Sequence, residues 1–120
     1  MESKKLKEIF KIQTINFINE LLLVFNNDNL LENIKEKIII QFRDEYFFNN
    51  LRNKFSKNIE DGINQKKIEL ILDSDKYLLP INEENIAKIK LKSYWNKLDN
   101  KNKDKSWCYL KFLLDIYKQF

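Results

Sequence analysis

The sequence predicts an all-α fold, a bundle of about five helices that ends in an antiparallel helical hairpin. Three observations carry this. The 120 residues hold only one Gly and one Pro, far below the usual shares of about 7% and 5%. Sheets need many tight turns, and tight turns draw on both residues. Apolar residues are 43% of the chain and aromatics 13%, which suffices for a core and argues against disorder. Finally, the apolar residues recur at helical rather than alternating spacing. The length fits one domain, residues 1–120.

Residues 3–26 read as the first helix. Leu6, Phe10, Phe17, Leu21, Val24 and Phe25 form one stripe, and Ile12, Ile15, Leu22 and Leu23 fall on the opposite side. A helix apolar on both sides either lies at the centre of a domain or meets a partner. Asn26-Asn27-Asp28 ends it. Asn29 with Glu32 fits a capping box for a second helix, which turns Leu31, Ile34, Ile38 and Phe42 toward the core. Arg43-Asp44-Glu45 marks a kink or a restart, with Asp44 as cap, followed by an apolar face of Phe47, Phe48, Leu51 and Phe55.

Residues 57–67 are polar, contain the single Gly62, and read as a loop. Residues 68–79 suit either a short helix or a buried strand, stopped by Pro80. Asn82 fits a helix N-cap with Glu83 and Glu84 in the first turn. That helix runs to about Leu98 with Ala87, Leu91, Tyr94, Trp95 and Leu98 as its stripe. A polar link over 99–104 leads to a last helix from about Asn102. Its face of Trp107, Leu110, Leu113, Leu114 and Tyr117 is flanked by Tyr109, Phe112, Ile116 and Phe120. A short link between amphipathic helices predicts the hairpin.

Composition excludes several chemistries. Without His, the chain lacks the commonest general base and zinc ligand. One Cys permits neither an intrachain disulfide nor a multi-cysteine metal site. One Gly permits no Gly-rich phosphate loop. Carboxylates at 60, 61, 69, 73 and 75 lack the strand pattern of a nuclease core. Cys108 reads as a buried structural residue, because no His is available to activate it. The expectation is a non-enzyme with no cofactor and no metal. No apolar run of 18 residues is present, so no membrane span is expected. The start at Met1-Glu2-Ser3-Lys4 lacks the features of a signal peptide. Together these lead to an expected soluble, intracellular, cytoplasmic location.

Lys, Asn and Ile total 52 residues, against five for Gly, Ala, Pro and Arg combined. That bias marks an AT-rich gene and lifts the Lys count without any functional demand. Charge is nevertheless uneven. Ile86–Phe120 holds nine Lys and three Asp, a net of +6, while residues 1–85 carry −2.

The elements Arg43-Asp44-Glu45-Tyr46-Phe47-Phe48, Tyr94-Trp95-Asn96-Lys97-Leu98 and Trp107-Cys108-Tyr109-Leu110 resemble those of a group of small helical proteins encoded by giant DNA viruses of protists. The resemblance spans residues 38–117 and departs from the group's pattern in a short region before Arg43 and in Cys108 between the aromatic pair. It implies a viral origin, hence a host-cell or virion location, and a helical fold. It brings no activity.

Two functions follow as expectations. The first is a non-enzymatic protein-interaction or assembly protein, a viral structural or host-interacting factor if the resemblance holds. It would bind a protein partner or itself through Ile12, Ile15, Leu22, Leu23, Tyr109, Phe112, Ile116 and Phe120. The reason is physical: both terminal helices are apolar nearly all round, and five helices can enclose one such helix more easily than two. The alternative is nucleic-acid binding by Lys88, Lys92, Lys97, Lys101, Lys103 and Lys105. Against it stand 20 Lys to two Arg and the core-like spacing of Trp95, Trp107 and Tyr109.

Overall fold

In the computed structural model the described residues are 3–44, 46–49, 57–72 and 84–119, with the backbone alone at 3 and 84–88. Every regular element among them is helical: α1 Ser3–Val24, α2 Asn29–Phe42, α3 Lys57–Gln65, α4 Ile68–Leu72, α5 Glu84–Lys97 and α6 Asn100–Tyr117. A further helical turn covers 47–49. The all-α class stands.

Local chemistry sets most boundaries. Asn26 and Asn27 adopt left-handed backbone (φ 52° and 58°), and Asn27 N–H donates to the Leu22 carbonyl at 2.9 Å. That wrapped end stops α1. The cap of α2 is Asp28, one residue before the expected Asn29: its Oδ2 accepts from Leu31 N–H at 3.2 Å. An ionised carboxylate gains more from the helix dipole than an amide does. Asp44 caps the restart, with Oδ1 accepting Tyr46 N–H at 2.9 Å. Leu51, Phe55, Pro80, Asn82 and Glu83 lie outside the described residues, and the side chain of Ala87 does too.

The loop expected over 57–67 is a helix. Ile59 and Ile63, one turn apart, are 2% and 4% exposed and pack on Leu114 of α6. This tertiary contact outweighs the low helix propensity of Gly62. Residues 68–72, open between helix and strand, form α4.

Three apolar clusters fill the interior. Leu6, Phe10, Phe47, Leu113 and Ile116 form the first. Ile18, Leu22, Leu31, Ile34 and Ile38 form the second, with Leu91 and Tyr94 of α5 against it. Ile59, Ile63 and Leu114 form the third. Helix α1 contributes to two of them and α6 to two. Contacts between α1 and α6 run in opposite sequence order: Leu6 and Phe10 meet Leu113 and Ile116, while Glu20 meets Lys105. The two helices are therefore antiparallel neighbours.

The link between the last two helices is shorter than expected. Asp99 Oδ1 accepts from Asn102 N–H at 2.8 Å and starts α6 at Asn100, so the link is Leu98-Asp99 and not 99–104. Helix α6 runs along α1 and α3, whereas α5 turns toward the α1–α2 cluster. Near the junction the rings of Trp95 and Trp107 meet edge to face, 5.0 Å between centroids.

Candidate functional site

An open groove of about 520 Å³ lies on the outer side of the α1–α6 pair. From α1 it takes Gln13 and Glu20; from α6 it takes Lys101, Asp104, Lys105, Cys108, Tyr109 and Phe112. On α6 the positions 101, 105, 108 and 112 follow the spacing that keeps one line along a helix. The floor is set by Tyr109, stacked on Phe17 with centroids 5.3 Å apart and planes 18° apart. Glu20 and Lys105 bridge the two helices at 3.6 Å, both half-exposed. Such a pair contributes little to stability. It does hold opposite charges side by side on the rim.

The proposed partner-binding residues separate into two sets. Ile12 (54% exposed), Leu23 (76%) and Phe112 (46%) point outward, and half-buried Tyr109 lines the groove. Leu22 (5%) and Ile116 (4%) are core residues, which corrects their assignment to an outer face. The reason is angular: successive helical residues differ by about 100°, so Leu22 follows Ile18 inward while Leu23 swings out. Ile15 packs half-buried against the second cluster. Val24, expected inside, is 39% exposed. Phe120 lies outside the described residues. Ile40, Tyr46 and Ile89 are exposed on other elements.

Cys108 also needs correction. It is exposed and lines the groove. The buried side of α6 is built by Ser106, Trp107, Leu113, Leu114 and Ile116, which leaves position 108 facing out. Gln13, Glu20, Asp104 and Cys108 are groove residues that sequence reasoning missed. The 101–105–108–112 spacing was the available signal.

Of the lysines expected to meet nucleic acid, Lys101 and Lys105 line the groove together. Lys103 is half-buried with its ammonium 5.8 Å from the Trp95 ring centre. Lys105 engages Glu20, Lys101 faces the groove, Lys97 is exposed and Lys92 is half-buried. The side chain of Lys88 lies outside the described residues. Trp107 is 7% exposed, in agreement with its core-like spacing. Farther along α6, Lys118 pairs with Glu60 at 2.6 Å. That hydrogen bond holds its ammonium above the ordinary value of 10.5. Lys111 donates to Asn64 Oδ1 at 3.0 Å. Both contacts tie α6 to α3.

Among the described residues no group of three or more His, Cys, Asp or Glu could hold a metal ion, and no helix is long and apolar enough to cross a membrane. The groove offers one thiol, two carboxylates, two ammonium groups and aromatic surface. Comparison with known protein families, curated proteins and solved structures gives no match.

Proposed function

We propose that the chain is a non-enzymatic protein-interaction module whose contact surface is the outer face of α1 and α6. The observation that carries it is the exposure of large apolar side chains on the two helices, Ile12, Leu23 and Val24 on α1 and Phe112 on α6, the last of them in the groove. An apolar and aromatic groove with a polar rim, such as Tyr109 and Phe112 form with Glu20, Lys101 and Lys105, is the pattern of a partner surface. The viral resemblance is compatible with a structural or host-directed role, and the reading does not depend on it.

The net charge of Ile86–Phe120 favours nucleic acid as the alternative partner, but the engagement of Lys105 by Glu20 and of Lys103 by the Trp95 ring weighs against it. A tagged full-length chain, recovered from native cell lysate with and without nuclease, separates the two. The proposal expects defined protein partners that persist after nuclease. Partners that vanish with nuclease, together with duplex or single-strand binding of steep salt dependence, would overturn it.

A further inference from the structure

The outward line of α1 reads Ile12, Asn16, Asn19, Leu23, with Asn19 half-buried and the other three exposed, at spacing i, i+4, i+7 and i+11. Its chemistry is the same in both directions: aliphatic, amide, amide, aliphatic. A two-fold interface demands that property, because each position must suit the one it meets on the other copy, and the reverse. Antiparallel pairing about the midpoint sets Ile12 against Leu23 twice. It also sets Asn16 against Asn19, whose carboxamides each carry donors and an acceptor.

The neighbouring line of α6 fits the same axis. The midpoint of the α1 line is level with Phe17, whose ring stacks on Tyr109, next to exposed Cys108. A two-fold axis crossing both helices there brings Cys108 toward its copy. It turns Lys101 of one copy toward Asp115 of the other, and Lys105 toward Phe112. The first brings a second cation to Asp115, which already pairs with Lys111 of its own copy at 3.4 Å, and the second puts a cation near an aromatic face. Glu20 and Asp104 offset Lys101 and Lys105 in a chain of net charge +4. The groove rim is thus locally neutral and does not repel its own image.

We propose that the occupant of this face is a second copy of the chain, with α1 antiparallel to α1 across a two-fold axis. This rests on the protein-interaction reading above and names its partner. The test is sedimentation of the full chain over a range of concentrations, for the wild type, Ile12→Lys, Leu23→Asp and the double variant. Both positions are more than half exposed, so the variants keep the fold, which circular dichroism checks. A concentration-dependent wild-type dimer is expected, weakened about tenfold or more in each single variant. The double variant regains dimerisation, because the introduced ammonium of each copy then faces the introduced carboxylate of the other. A short bis-maleimide is expected to link Cys108 to Cys108 in the wild-type dimer.

A wild type that is monomeric throughout overturns the proposal. So does a dimer indifferent to both single variants, or a double variant no better than either single. A monomer that still captures defined proteins after nuclease refutes only the second copy. Capture of nothing but nucleic acid refutes the interaction reading itself.

Discussion

Asp28 Oδ2 accepts the Leu31 N–H at the start of α2, while its Oδ1 accepts the Tyr94 hydroxyl of α5 at 2.7 Å. One carboxylate thus caps a helix and anchors another, 66 residues away in sequence. Burial first, then the bond to Asp28 and its negative charge, push the Tyr94 phenol from 10.0 up to about 12. A raised folded-state value means that folding favours the protonated phenol. The resulting stabilisation is complete below pH 10 and is lost as pH climbs toward 12. Tyr94→Phe is expected to cost about 1 kcal/mol near neutral pH. The gap in Tm between wild type and variant is expected to close between pH 10 and 12, measured by thermal melts. A gap that holds constant over that range would refute the link. None of this was legible in the sequence. Asp28 looked like the end of α1, and nothing local to Tyr94 pointed across to it.

The α3–α4 pair shows how an element can be hidden by composition. The polar run over 57–67 with its one Gly resembles a loop, yet Ile59 and Ile63 supplied a one-turn apolar repeat. Gly62 is there because α4 crosses too closely for a side chain. A Cβ at 62 would lie 2.7 Å from Ile71 Cγ1, 3.0 Å from the Lys67 carbonyl oxygen and 3.2 Å from Leu70 Cβ. The close approach also receives a hydrogen bond, Lys67 N–H to the Gly62 carbonyl at 2.8 Å. Ala is a better helix former by about 1 kcal/mol, but overpacking here is worth more in the other direction. Gly62→Ala is expected to destabilise by about 1–3 kcal/mol, seen as a lower urea midpoint with an unchanged slope. A midpoint equal to or above the wild type would show that α4 gives way freely. The amphipathic helices α2, α5 and α6 were legible from their stripes, and α2 and α6 start one or two residues earlier than expected because Asp28 and Asp99 cap them.

At the scale of the molecule, α1 and α6 are shared between clusters, and that explains their unusual sequences. Helix α6 is enclosed by α1 on one side and α3 on another, with Leu114 wholly buried between. Helix α1 faces α2 on one side and α6 on a second. What remains on both is the outer line, where Ile12, Leu23 and Phe112 stay uncovered. The excess of apolar surface could be read from the sequence, because it shows in the composition of each helix. The division between covered and uncovered positions could not, since it depends on which neighbour each side meets. Leu22 and Leu23 differ only in that respect.

Cys108 stands within the proposed contact surface and is exposed in the single chain, so its chemistry reports directly on whether that surface is used. The measurement is its alkylation rate, by iodoacetamide, in dilute purified chain and in nuclease-treated complexes recovered from cell lysate. The account predicts rapid labelling of the dilute chain and marked protection in the complexes. Equal rates in both would place the contacts elsewhere and contradict the assignment of the α1–α6 face.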